Sequence, residues 1–350
     1  MVHKAGFLSV CVIGAVLPCV GNAAVPCPPS GLSVDGGSAN SVPCTSDETL
    51  SQQYPGDVGM NADADVVWME GFESGSIASI TSRYSDSNNA AGMSLDTAVP
   101  SKSRGKNALR LKSNGSGAQA TDLYKNFGSQ RYDELFVRYY VKYEGGVPWH
   151  HAGVTIGAQN PPMNWHEGKA GLKPNGDDRA SFSIEPFAPG STVQLDTYNY
   201  WRGMHSWKDV PSGTDAYYGN TLLHNPSAKA AGGTWVCVEI HAKLNPDPAT
   251  AAGGELEVWF NDALVRRFTS TTPVGYWIRD KFCTSGTTDP ECTKYYNSSL
   301  PQVPLDTRFR SSAALKLNYF WAQNYITDAA QGSVWFDDMV VAKRRIGCLK

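Results

Sequence analysis

Between Leu135 and Tyr143 the chain alternates strictly: Leu135, Val137, Tyr139, Val141 and Tyr143 fall on one side, Arg138 and Lys142 on the other. Successive side chains of a strand point to opposite faces, so this period describes a half-buried β-strand and does not fit an amphipathic helix. Shorter segments of the same kind lie at 66–70, 108–112, 181–185, 193–200, 235–244, 255–260, 264–268, 315–321 and 334–342. Between them stand Gly- and Pro-rich clusters such as Ala188-Pro189-Gly190, the turn signal of a hairpin. No helical window of convincing length and no internal repeat interrupts the series. Many short alternating strands joined by such turns predict an all-β, antiparallel sandwich.

The chain has 350 residues, 41% of them hydrophobic, which is enough for a sizeable core and excludes wholesale disorder. A net charge of −3 gives no reason to expect nucleic acid or an anionic membrane as partner. Ten Trp and sixteen Tyr are more informative, because aromatic side chains favour strands and stack on sugar rings. The N-terminus reads as an export signal over residues 1–23: His3 and Lys4, an apolar run from Ala5 to Val20, then small residues at Gly21-Asn22-Ala23. Cys19 follows Pro18, which suits a lipoprotein cysteine poorly, so release is expected: a secreted protein acting as a monomer.

Of eight cysteines, Cys11 and Cys19 fall in that signal, leaving six. An even number in an exported chain predicts disulfides; near neighbours suggest Cys27 with Cys44 and Cys283 with Cys292, which leaves Cys237 to tie a strand to the C-terminal Cys348. No CxxC spacing supports a metal site instead. Residues 24–64 lack periodicity and read as an irregular leader pinned by its own disulfide, ahead of one domain over 65–350. The long irregular stretches 160–179, 201–233 and 278–307 are expected as surface loops framing a cleft.

The order of motifs is itself specific. Phe136-Val137-Arg138-Tyr139-Tyr140-Val141-Lys142-Tyr143 leads into a Gly/Trp loop, and Ala170-Gly171-Leu172-Lys173-Pro174-Asn175-Gly176 precedes a hairpin ending in Tyr198-Asn199-Tyr200. Trp235-Val236-Cys237-Val238-Glu239, then Glu255-Leu256-Glu257-Val258-Trp259-Phe260, then Val334-Trp335-Phe336-Asp337-Asp338 complete the series. From about Val66 to Ile346 this order resembles the concanavalin-like jelly-roll polysaccharide lyases, especially the alginate and glucuronan lyase-like group. The resemblance implies a disulfide-stapled jelly roll and β-elimination on a uronic-acid polysaccharide. There a tyrosine of lowered pKa serves as base and acid, and polar groups stabilise the charge on the uronate. It points to Tyr200 and Tyr198 as catalytic and to Ser183 as a sugar contact; strand alternation puts Glu185 and Asp196 on the same polar faces as further contacts, His151 and His150 are expected to assist as catalytic and binding residues, and Arg138 is a candidate to line the groove.

This sequence departs from the family twice. Glu185 stands where the relatives carry an arginine, and Ala152-Gly153-Val154-Thr155 lacks their lysine. Plainer readings stand beside the catalytic ones. Tyr198 and Tyr200 could be cross-strand packing residues. Glu239, His241 and Lys243 could form a solvated convex face, His150-His151 an exposed loop tip, and Tyr319 and Trp321 part of the core. Glu70-Gly71-Phe72-Glu73 and Asp337-Asp338 pair as such jelly rolls do around a structural Ca²⁺, which implies Glu73 and Asp337 as ligands of a hard cation. The paired carboxylates of a sandwich glycosidase, a nucleophile elbow, a zinc helix and a phosphate loop are all absent. The alternative to a lyase is a non-catalytic glycan-binding or cell-envelope protein on the same fold.

Overall fold

The computed structural model describes residues 48–113, 120–165, 169–188, 192–208, 215–246, 248, 253–295, 300–326 and 331–350. The export signal, the first part of the leader and the Cys27/Cys44 pair lie outside the described residues. In chain order the strands are β1 (Val66–Glu70), β2 (Asp86–Asn88), β3 (Met93–Asp96), β4 (Ala108–Lys112), β5 (Thr121–Asn126), β6 (Glu134–Tyr143), β7 (His151–Gln159), β8 (Arg179–Ala188) and β9 (Thr192–Thr197). They continue with β10 (Lys229–Ala231), β11 (Val236–Lys243), β12 (Glu255–Phe260), β13 (Ala263–Phe268), β14 (Val274–Ile278), β15 (Lys281–Thr284), β16 (Val303–Pro304), β17 (Leu317–Tyr325) and β18 (Ser333–Ala342).

Two antiparallel sheets make the jelly-roll sandwich. The first runs β13-β12-β11-β6-β18-β4-β3, with β1 also pairing β18, and the second runs β10-β9-β8-β7-β17-β5-β2. The chain passes between them at β1–β2, β2–β3, β4–β5, β5–β6, β6–β7, β10–β11 and β17–β18, and again between β13 and β17. Period two decides what meets in the middle: Val137, Tyr139 and Val141 of β6 share one buried cluster with Val154 and Ile156 of β7 and Phe182 and Ile184 of β8. A small third sheet, β15-β14-β16, lies within 274–304, so the expected loop over 278–307 holds strand structure.

The sequence pattern did not reveal β7. Its glycines weaken the strand signal, yet close approach requires them. A Cβ at Gly153 would stand 2.0 Å from the Ile184 carbonyl oxygen, and one at Gly157 would stand 2.1 Å from the Tyr319 ring.

Part of the outward side of the first sheet is covered. Leu50 and Met60 pack on Val340, Ala342 and Ile346, so residues 48–64 belong to the compact unit, which begins at Glu48. The leader expected over 24–64 is therefore corrected in its last part: apolar side chains tie it to β18 and the C-terminal tail. Both described disulfides follow the expected pairing. Cys237–Cys348 fastens the tail to β11, and Cys283–Cys292 closes a loop beside the third sheet.

Candidate functional site

Arg179, Ser181, Ser183 and Glu185 alternate on the outward side of β8, opposite Phe182 and Ile184 in the core. Past β9 the chain continues beside β8: the Tyr198 N–H donates to the Ser183 carbonyl (3.1 Å), and Tyr200 and Ser181 exchange backbone bonds (2.8 and 3.0 Å). Register then draws a row across the sheet from Tyr198 through Ser183, Thr155 and Trp321 to Tyr124. The hydroxyls of Ser183 and Thr155 stand 2.7 Å apart in this row. At its far end Trp165 approaches both Trp321 (5.9 Å between ring centres) and Tyr124 (5.5 Å), an aromatic wall suited to sugar stacking.

One strand step along, Gly153 has no side chain, and this lets its neighbours meet. Gln323 of β17 donates Nε2–H to Glu185 Oε1 (3.2 Å), while Glu185 Oε2 lies 2.6 Å from His151 Nδ1. The carboxylate accepts the Nδ1 proton, which fixes the ring and leaves Nε2 as its other polar atom. The His151 side chain is 16% exposed, and its ring meets Tyr198 edge-on at 4.7 Å. His150 is exposed, with its ring 3.9 Å from that of His151. Glu185, expected to face a sugar as a repelling anion, is instead 4% exposed and engaged at both oxygens.

The tyrosine pair differs from expectation in protonation. Tyr198 is half-buried and Tyr200 only 8% exposed, with their hydroxyls 3.5 Å apart. Burial pushes both phenols up; the second hydroxyl and the Glu185 charge push Tyr198 further. The lowered pKa expected of a tyrosine base is thus corrected: each phenol holds its proton.

Three expected sugar contacts lie elsewhere or are otherwise occupied. Arg138 is fully buried on the outward side of β6 in the other sheet, where it pairs with Asp57 under the 48–64 segment. Asp196 is 2% exposed, and its oxygens accept the N–H groups of Thr197, Leu222, Leu223 and His224 at 2.7–3.0 Å, so it anchors a loop. Glu239, His241 and Lys243 form no solvated face as a set: the tail N–H groups of Ile346 and Gly347 bind Glu239 (2.7 and 2.9 Å), and His241 bridges Glu134 and Glu257.

Glu73 is exposed and accepts the N–H groups of Lys106 and Asn107 at 2.8 Å each. Asp337 is fully buried beside half-buried Asp338, and each has one carboxylate oxygen without a hydrogen-bond partner. Burial first, and the neighbouring Asp338 charge second, push Asp337 up to about 9. Orphaned hard oxygens of this kind fit a Ca²⁺ ion. Among the described residues, however, no three His, Cys, Asp or Glu side chains converge on one point, so backbone carbonyls would have to complete the shell.

Thr155, Arg179, Gln323, Trp321 and Trp165 were not singled out from the sequence as groove residues. For Arg179 the signal was present: the alternation of 181, 183 and 185 extends back to it.

No family model matches the chain, and no curated protein matches it. Among solved structures it is similar to the PL-14 alginate lyase from Aplysia kurodai, at 13% identity over 80% of this chain and 100% of that one, with a TM-score of 0.49. The alginate lyase Aly36B aligns at 13% identity over 80% and 98%, with a TM-score of 0.48. The alginate lyase vAL-1 from Chlorella virus aligns at 12% over 72% and 90%, with a TM-score of 0.44.

Proposed function

We propose that the outward face of the second sheet is the active site of an exported polysaccharide lyase acting on a uronic-acid polymer. One observation carries this reading: His151, set by Glu185, stands edge-on to a tyrosine that keeps its proton. In β-elimination the His151 Nε2 lone pair takes the proton on the carbon next to the uronate carboxylate. The electron pair left behind forms a carbon–carbon double bond as the adjacent C–O bond breaks, and the leaving oxygen takes a proton from a phenol. Tyr198 suits the acid role better than Tyr200, because it is more exposed and touches the histidine ring. A phenol with a raised pKa is a poor base, but it holds the proton that the leaving oxygen needs. Ser183, Thr155 and Gln323 supply polar contacts, and Trp321 and Trp165 a stacking wall. Ca²⁺, held by Asp337 and Asp338 with backbone carbonyls, would brace β18 at a distance from this chemistry.

The test is ultraviolet absorbance of the unsaturated uronate product, on a panel of alginate, glucuronan, pectate and glycosaminoglycan. Wild type should give rising absorbance on one of these, and His151→Ala and Tyr198→Phe should each lower the rate about 10²–10⁴-fold. Unchanged rates in both variants would sink the assignment.

The glycan-binding alternative is favoured by one feature, the engagement of the nearest cation. Arg179 beside Tyr200 is bound to Asp178 and to the Lys169 and Leu172 carbonyls, which leaves little to neutralise a uronate. Retention on polysaccharide gels with a flat absorbance trace would establish that reading.

A further inference from the structure

A cleft of about 500 Å³ opens on the outward side of the first sheet, away from the groove just described. Lys142 of β6 and Trp335 of β18 form its floor, the glycine turns 145–146 and 232–233 form its walls, and exposed Glu144 stands at its rim. Gly146 and Gly233 both have φ of 76°, and a Cβ on Gly145 would come within 3.7 Å of Gly232.

Lys142 is only 8% exposed, yet no carboxylate lies within ion-pair distance of it among the described residues, and its hydrogen bond is a long one, 3.5 Å to the Ala98 carbonyl. Its ammonium stands between two indoles, 4.5 Å from the Trp335 ring centre and 5.0 Å from that of Trp235. The nearby acids are engaged. Asp96 accepts the Trp335 indole N–H (2.8 Å), and Glu144 accepts the Ser333 N–H (2.9 Å). A nearly buried cation without an anionic partner, in a cleft walled by glycine and indole, lacks a negatively charged group to complete it. The cleft is much larger than a simple inorganic anion needs, and its apolar walls match the C–H face of a pyranose.

Position adds to this. The loop over residues 144–150 starts at the cleft, which Glu144, Gly145 and Gly146 line, and ends at His151.

We propose that this cleft is a second, non-catalytic binding site for an acidic sugar unit, with the carboxylate on Lys142 and the ring against the Trp335 indole. That the ligand is a uronate rests on the function proposed above; the cleft, cation and indoles do not. The test follows the Trp335 indole N–H by nuclear magnetic resonance during titration with mannuronate trisaccharide, with cellotriose as the neutral control. The resonance should shift saturably with the uronate and far less with cellotriose. Lys142→Met should weaken the effect about tenfold or more, and Lys142→Arg, which keeps the charge, should retain it. An indole unmoved by the uronate, or moved equally in Lys142→Met or by cellotriose, overturns the proposal. The elimination assay reads the other face, so failure of one result does not imply failure of the other.

Discussion

On β11, His241 has both ring nitrogens taken, by Glu257 and Glu134 at 2.8 Å each, and its ring is stacked on Phe136 at 4.1 Å. On β7, His151 gives Nδ1 to Glu185, and its ring borders a tyrosine pair at a partly open surface. The two histidines lie on the outward sides of opposite sheets and use the same residue types. The first sheet closes the sets around this histidine: Arg138 pairs with Asp57, Glu239 with the tail amides, and His241 with two glutamates. A closed set of charges can hold a fold together, but it has no atom left to exchange a proton with a ligand. The second sheet leaves one set short by a single partner, and chemistry needs that vacancy.

If this contrast holds, variants on the first sheet should lose stability, and variants on the second should lose turnover. The largest effect is expected at Arg138→Leu, which strands the Asp57 carboxylate under the 48–64 segment. It should cost about 3–5 kcal/mol in chemical denaturation. A loss below about 1 kcal/mol would show that this cover is not sealed by the pair.

Next comes a matched pair of glutamates. Glu185→Gln should lower elimination about 10²-fold by releasing the His151 ring, with little change in melting temperature, while Glu257→Gln should leave the rate unchanged. Equal rates in the two variants would erase the distinction between the faces.

Asp337 offers a gentler test. A carboxyl with a raised folded pKa stabilises the fold at low pH, and that contribution is lost as pH rises from the ordinary 3.8 through about 9. In chelator, the melting temperature of wild type should fall over this window relative to Asp337→Asn, and added calcium should flatten the fall. A slope indifferent to calcium would remove the ion from the picture.

The smallest effect is expected at His241. Burial pulls its pKa down, but the hydrogen bonds of Glu134 and Glu257 outweigh this and hold it above the ordinary 6.5. A raised histidine stabilises fully below its unfolded value, and the contribution disappears as pH climbs through the folded one. His241→Asn should therefore melt lower than wild type at a pH of about 5.5, and the gap should narrow by a pH of about 9. A gap that widens with pH would mean that the bridge works through a neutral ring.

Alternation alone made much of this molecule legible. The inward residues of β6, the polar set Ser181, Ser183 and Glu185, and the placement of Tyr198 with Tyr200 all follow from period two, because a strand's geometry is local. The disulfide Cys283–Cys292 was legible from near-neighbour pairing, and Cys237–Cys348 from the cysteines that pairing left over. β7 was not, because the glycines that weaken its local signal answer contacts with β8 and β17. Nor does period two tell which polar face stays open. Arg138 is covered by Asp57, 81 residues away, and Glu239 by Ile346, 107 residues away. Asp196 is claimed by amides 26 to 28 residues further on, and His151 meets Glu185 at a separation of 34. The sequence by itself determined the strands, their faces and the chemical types available. Only the tertiary structure decided which charges were closed off and which histidine kept a free nitrogen, because that depends on segments brought together by the whole fold.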